Sequence, residues 1–308
     1  MAGTGRVGIC MKVIVAFSGG KDSTACLLWA VNEGGFKPQS VTAVFCDTGW
    51  EHPDTYAYIT NTCAAIGVNL VVLKSKKFDG FIDLAMKKKR FPSAKARFCT
   101  EKLKSEPMID YLLDEVRDHC LIIQGIRNQE SAARSKMTEH CTFFRYYLEP
   151  YSVKDGKEFR HTYRKQDVLE FRKHFADDIL RPIISWSANQ VVKYILSHGL
   201  RLNPLYYRGA GRVGCYPCIM ANHAEVKAML SNDTRYAARL IDAEEKVGRT
   251  FFAPNYIPQK YHTGRDTVSG KTICTASDVI RYLSEQKETL FQDESETASC
   301  MSFYSICE

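Results

Sequence analysis

The stretch Met11-Lys12-Val13-Ile14-Val15-Ala16-Phe17 runs into Ser18-Gly19-Gly20-Lys21-Asp22-Ser23 and then into an apolar-periodic segment ending near Val31, and this succession restricts the fold more than any other feature. The short β-branched run predicts a strand, and the spacing after Asp22 predicts a helix. A glycine pair between them lets the backbone turn sharply, while the helix start presents unpaired amide hydrogens and a positive dipole end. Ser18 and Ser23 add hydroxyls and Lys21 adds a cation, so the loop suits a phosphate. A bare Gly-rich turn is the plainer reading, but six coherent residues in a strand-to-helix setting favour the phosphate site. The GxxxxGK spacing of a Walker A loop is absent.

Val41 to Phe45, Val68 to Leu73 and Leu121 to Gly125 repeat the strand signal, and Pro53 to Ile66 reads as a helix. Strands that are nearly all apolar and alternate with helices predict an α/β fold, a parallel twisted sheet covered by helices on both faces, with ligands beyond the strands' carboxyl ends. After about residue 180 the pattern changes, and Ala188 to Ser197 and His223 to Val247 read as helices between loops rich in Gly, Pro, Tyr and Arg. The expected organisation is a nucleotide-binding domain over 1–185 and a smaller, mainly helical region over 186–308. With 308 residues, 45% of them hydrophobic, the chain can bury a sizeable core. Its formal charge of +7 favours anionic partners only weakly. No stretch approaches a membrane span, and the first apolar run breaks at once into Ser-Gly-Gly, so a cytoplasmic location is expected. Twelve cysteines in that reducing setting point to metal binding or redox chemistry rather than disulfides.

Ser18 to Ser23 resembles the SGGxDS pyrophosphate loop of the ATP pyrophosphatase, or adenine nucleotide alpha hydrolase-like, superfamily. Cys46-Asp47-Thr48-Gly49-Trp50-Glu51-His52-Pro53 resembles the DTGxExP segment of its 3′-phosphoadenylylsulfate (PAPS) reductase-like branch. Gly125-Ile126-Arg127-Asn128-Gln129-Glu130-Ser131 resembles the GxRxxES segment, here with two residues between Ser131 and Arg134. Arg181-Pro182-Ile183, Trp186 and Asn203-Pro204-Leu205-Tyr206 complete a likeness over about residues 11 to 220. It implies a Rossmann-like fold, cleavage of ATP between its α- and β-phosphates, and transfer of AMP to a substrate. Ser18, Gly19, Gly20, Lys21, Asp22, Ser23, Asp47 and Gly125 would then bind the nucleotide, and Lys21, Asp22, Asp47, Arg127, Glu130 and Arg134 would carry the chemistry. Read from the residues alone, Asp47 at a strand's carboxyl end could hold Mg²⁺ or cap the next helix. Arg127 and Arg134 offer forked donors for phosphate oxygens, with Glu130 orienting one of them, or form a surface salt-bridge cluster.

Cys215-Tyr216-Pro217-Cys218 is a CxxC, by itself a zinc knuckle, a redox pair or chance. Joined by Cys99 it offers three soft ligands, and the resemblance to the superfamily's iron-sulfur members implies a [4Fe–4S] cluster on Cys99, Cys215 and Cys218. Zinc, with His223 as fourth ligand, and a metal-free set are the alternatives. Cys300 and Cys307 are either a resolving pair or spare thiols in a tail, and Cys26, Cys63 and Cys120 are expected in the core. From Lys87 to Lys104 eight Lys or Arg stand against the single acid Glu101, a run that would draw a polyanion toward Cys99 or form a solvated loop. Phe91 and Phe98 could add base stacking, and Tyr206, Tyr207, Arg208 and Arg212 could extend the same face.

The favoured function is ATP-dependent adenylation, most naturally of tRNA or DNA, followed by sulfur transfer, with a sulfur-donor protein and a homo-oligomer as candidate partners. Reduction of PAPS or adenylylsulfate is the alternative, but reductases usually carry a degraded loop and a C-terminal Glu-Cys-Gly, whereas Lys21 and Asp22 are intact here. A sulfate adenylyltransferase would not need the cysteine set. A nucleotide-sensing, nucleic-acid-binding protein is the non-enzymatic alternative.

Overall fold

A computed structural model describes residues 11–233, 235–265 and 270–285. In chain order the elements are β1 (Lys12–Ala16), α1 (Lys21–Asn32), β2 (Val41–Cys46), α2 (Pro53–Ile66), β3 (Asn69–Leu73) and α3 (Gly80–Lys88). A helical run over 98–116 follows, containing α4 (Phe98–Thr100) and α5 (Glu106–Tyr111) joined by wider turns, and then β4 (Cys120–Gln124). Next come β5 (His140–Thr142), α6 (Arg145–Leu148), the hairpin β6 (Ser152–Lys154) and β7 (Lys157–Phe159), α7 (Lys165–His174) and β8 (Asp177–Leu180). The chain goes on through α8 (Ala188–Ser197), α9 (Pro204–Tyr207), α10 (His223–Asn232), α11 (Arg235–Val247), the pair β9 (Gly264–Arg265) and β10 (Thr272–Ile273), and α12 (Ala276–Glu285).

The main sheet has the order β3-β2-β1-β4-β8-β5. All neighbours are parallel except β5, which runs antiparallel along β8. The expected α/β architecture is therefore present, and chain order reverses between β1 and β4, where ligand crevices form in such sheets. Side chains alternate across it: Val13, Val15, Phe45 and Ile123 face a core shared with α1, α2 and α8, while Ile14, Val44, Cys46 and Ile122 face one shared with α7 and the 98–116 run. Cys26, Cys63 and Cys120 lie in these cores, as expected.

Two strands escape the sequence pattern. β8 opens with Asp177-Asp178, which masks its apolar half, yet Asp177 is buried because Phe144 N–H and Arg172 Nε donate to its carboxylate at 2.6 and 2.9 Å. β5 is a three-residue edge strand with a polar sequence. The helix expected over His223 to Val247 is two helices, because Asp233 leaves helical geometry (φ −150°, ψ 101°) and its carboxylate accepts the Arg235 amide at 3.0 Å.

A third apolar cluster lies beyond the sheet: Trp50, Phe81, Leu84, Phe91 and Leu103 pack with Leu240, Phe251, Phe252 and Val279. The helices α11 and α12 are thus fastened to α3 and to the loop after β2. Cys300 and Cys307 fall outside the described residues.

Candidate functional site

Three loops converge at the carboxyl ends of β1, β2 and β4. After β1, Gly19 adopts φ +77°, a conformation glycine takes without strain. Ser18 and Ser23 face each other with hydroxyls 3.3 Å apart, and Ser23 Oγ donates to the Gly20 carbonyl at 3.0 Å. The α1 amide of Lys21 donates to the Tyr206 hydroxyl at 3.0 Å, and Lys21 Nζ lies 5.3 Å from the centre of that ring. Asn203 donates from Nδ2 to the Gly19 carbonyl at 3.3 Å and caps α9 by accepting Leu205 N–H at 3.1 Å. The Asn-Pro-Leu-Tyr segment is therefore a prop for the loop, a role its sequence did not disclose.

Gly125 follows β4 and touches the same loop. A Cβ there would stand 2.6 Å from Asp22 C and Ser23 N, so only glycine lets the two backbones meet. Asp22 is buried and accepts Arg127 Nε at 2.5 Å. Glu130 accepts Arg127 N–H at 2.9 Å and pairs closely with Arg134 Nη1, itself fully buried. Asp22, Arg127, Glu130 and Arg134, with Lys21 Nζ 3.5 Å from Asp22 Oδ2, thus form one ion-pair network locking α1 to the loop after β4. The salt-bridge cluster that stood as the alternative to phosphate contact is present, but it is buried rather than on the surface.

After β2, Asp47 Oδ1 accepts Gly49 N–H at 2.8 Å and the Tyr56 hydroxyl at 2.7 Å, and Oδ2 lies 3.2 Å from Lys74 Nζ. Burial pushes its pKa up, but the Tyr56, Gly49 and Lys74 bonds outweigh it and hold the group below its ordinary value. Asp47 does not cap α2; His52 does, its Nδ1 accepting Asp54 N–H at 3.0 Å. Glu51, absent from the residues singled out for chemistry, is buried and accepts Thr48 N–H at 3.2 Å, Thr48 Oγ1 at 2.6 Å and the Tyr56 hydroxyl at 3.1 Å. It lies against the CxxC: Cys215 Sγ is 4.0 Å from Glu51 Oε1 and 3.6 Å from Thr48 Oγ1.

Cys99, Cys215 and Cys218 line one cavity with Lys104, Arg212 and, from the phosphate loop, Ser18. Burial pushes the Cys215 thiol up to about 12; Lys104 pulls it down, while Glu51 and Cys99 push it further up. Three thiols are a soft donor set whose chemistry fits an iron-sulfur cluster or zinc. Among the described residues no group of three or more His, Cys, Asp or Glu side chains is gathered at metal-holding distance. His223 does not complete the set: its Nε2 sits 2.6 Å from the Tyr256 carbonyl oxygen, and it is not among the cavity's lining residues.

The basic run divides in space. Lys87 to Arg90 and Lys95 are exposed, Lys102 pairs with Glu101 and Glu106 at 2.8 and 2.6 Å, and Lys104 turns into the cysteine cavity. Phe91 is not a stacking platform: it is buried, its ring 5.1 Å from Phe251 and 6.0 Å from Phe81. Phe98 is half-buried beneath the Arg90 guanidinium. Tyr207 is exposed, Arg208 pairs with Asp54 at 2.7 Å, and Arg212 with Glu225 at 3.2 Å.

A parallel sheet with a Ser-Gly-Gly-Lys-Asp-Ser loop at its topological switch defines a nucleotide-binding α/β domain of the adenine nucleotide alpha hydrolase type. Residues 12–141 and 157–221 match the phosphoadenosine phosphosulfate reductase domain, and the chain belongs to that family. An uncharacterized 37.8 kDa protein of Escherichia phage 186 is 30% identical over 302 residues, covering 80% of each chain. An uncharacterized protein of Methanocaldococcus jannaschii is 30% identical over 210 residues, 68% of this chain and 42% of its own. Among solved structures, the phosphoadenylyl-sulfate reductase of Candida auris, in a phosphate complex, aligns with 67% of this chain and 82% of its own at a TM-score of 0.42 and 17% identity. No helix among the described residues is long and apolar enough to cross a membrane.

Proposed function

We propose that this protein is a cytoplasmic enzyme that adenylates a substrate with ATP, releasing pyrophosphate, and then exchanges the AMP for sulfur, with tRNA or DNA as the substrate class. The observation that carries this reading is that Ser18 of the phosphate loop lines the same cavity as Cys99, Cys215 and Cys218. Loop amides, the Ser18 and Ser23 hydroxyls and Lys21 would bind the phosphates, and Asp47, at the carboxyl end of β2, would hold Mg²⁺, giving up Lys74 to do so. A substrate oxygen attacks the α-phosphorus, the bond to the β-phosphate oxygen breaks, and pyrophosphate leaves.

A persulfide on one cysteine, loaded by an external sulfur donor, then attacks the activated centre and AMP departs. A second cysteine cleaves the resulting disulfide, releasing the thiolated product and leaving a Cys–Cys disulfide for an external dithiol to reduce. A [4Fe–4S] cluster, if bound by Cys99, Cys215 and Cys218, would supply sulfur-transfer chemistry at the same wall. The family favours a second reading, reduction of adenylylsulfate or PAPS at those thiols.

Anaerobic purification with iron, zinc and acid-labile sulfide analysis, followed by pyrophosphate-release assays with ATP and either tRNA or DNA, tests the choice. Nucleic-acid-stimulated pyrophosphate release with sulfur incorporation supports the proposal. Sulfite release from adenylylsulfate without ATP cleavage replaces it with the reductase, and binding of ATP and nucleic acid without turnover replaces it with a sensor.

A further inference from the structure

Arg239, on α11, lies outside the residues that match the family, yet it reaches the heart of the site. Its Nη1 donates to the Glu51 carbonyl at 3.3 Å and the Tyr216 carbonyl at 3.4 Å, and Nη2 donates to the Gly49 carbonyl at 3.2 Å. Its guanidinium carbon stands 3.9 Å from the centre of the Trp50 ring. Trp50 in turn grips the CxxC loop, with Nε1–H donating to the Pro217 carbonyl at 3.0 Å and its own carbonyl accepting Tyr216 N–H at 2.8 Å. Glu51 and Cys215 form a backbone bridge alongside.

We infer that Arg239 is a positioning residue that clamps the Cys215–Cys218 loop onto the loop carrying Asp47 and Glu51, fixing the cysteines against the phosphate side of the cavity. The guanidinium suits this task for two reasons. Its planar fork serves carbonyls of two chain segments at once, and its face stacks on an indole. Lysine offers a point charge and no plane. The role assigned to the clamp rests on the sulfur-transfer reading, but its geometry does not, so it is tested without ATP or substrate.

The measurement is amide hydrogen exchange on the full chain, comparing peptides covering 210–219 and 47–52 with peptides from β1 and β4. Arg239→Lys and Arg239→Ala are both expected to exchange about tenfold faster in the two loops, the factor that loss of roughly 1.4 kcal/mol of local stability produces. Exchange in β1 and β4 should not change. Trp50→Phe, which removes the indole N–H bond to Pro217 and trims the ring beneath Arg239, should accelerate 210–219 more than 47–52. If α11 merely needs a long side chain for packing, lysine restores wild-type exchange, and loop exchange within twofold of wild type in Arg239→Lys overturns the clamp. Equal acceleration in β1 and β4 would show global destabilisation and overturn it as well. Absence of ATP turnover in the pyrophosphate assay would remove the sulfur-transfer reading and leave the clamp standing.

Discussion

Gly125→Ala isolates the contact on which the phosphate loop depends. Gly125 is not among the positive-φ glycines, so alanine can adopt its backbone conformation and any penalty is steric. The added methyl would lie 2.6 Å from Asp22 C and Ser23 N and 2.7 Å from Asp22 O, all backbone atoms that cannot swing aside. Since carbon contacts relax near 3.5–4.0 Å, α1 and its loop must retreat by about 1 Å. Overpacking of this kind costs about 1–3 kcal/mol. For a domain of this size that is a fall in Tm of roughly 2–10 °C. The functional loss should be larger in proportion, because a displacement of about 1 Å in the phosphate cradle can lower kcat/KM on the order of 100-fold. Calorimetry and pyrophosphate release with ATP give the two readouts. A variant with unchanged Tm and kcat/KM within about twofold of wild type would refute the argument that backbone contact at Gly125 sets the loop.

Asp22→Asn deprives the buried Arg127 guanidinium of its nearest anion, while Glu130 Oε1 remains 3.9 Å from Nη2. The expected cost in urea unfolding is therefore near the lower end of the range for broken buried pairs, about 3 kcal/mol, and a loss below 1 kcal/mol would count against the network. His161 lies among the rings of Tyr146, Tyr147 and Tyr151, and burial lowers its pKa to about 4 from 6.5. Between those values the unfolded chain binds a proton that the folded chain does not, so stability falls as pH drops from 6.5 to about 4 and levels off below. His161→Phe should flatten that part of the urea-midpoint profile, and parallel profiles for the two proteins would rule the assignment out.

What the sequence disclosed follows the range over which each signal acts. β1, β2 and β4 declare themselves because a strand buried on both faces must be apolar throughout, β3 because its Leu-Val-Val-Leu run is apolar even at the sheet's half-exposed edge, and the Ser18–Ser23 loop because strand, glycines and helix start are contiguous. β8 was hidden because Asp177 is satisfied by Phe144 and Arg172, and the partner amide lies 33 residues away in the chain. The run from Lys87 to Lys104 looked like one charged surface because sequence records charge and not direction; folding sends Lys104 and Phe91 inward while Lys87 to Arg90 remain outside. Arg239 carried no local signal at all, since an arginine on an amphipathic helix is ordinary until its partners at Gly49, Glu51 and Tyr216 are known.

The same distinction bears on what the charged residues near the loop do. Arg127 and Arg134 were read as forked donors for phosphate, with Glu130 orienting one of them and Asp22 as part of the nucleotide loop. Placed in the fold, their acids and bases face one another: Arg127 meets Asp22, and Glu130 holds Arg134. Breaking such pairs to bind a ligand would expose each buried ion to a desolvation cost that one phosphate contact must then offset. The hydroxyls of Ser18 and Ser23 are neutral, Lys21 Nζ reaches Asp22 Oδ2 only at 3.5 Å, longer than the Arg127–Asp22 pair, and Lys74 is exposed enough to leave Asp47 readily. On the proposed adenylation reading, the division of labour that costs least gives phosphate contact to Ser18, Lys21 and Ser23 and metal contact to Asp47. It leaves the Asp22–Arg127–Glu130–Arg134 network to hold the loop and α1 in the geometry those contacts require.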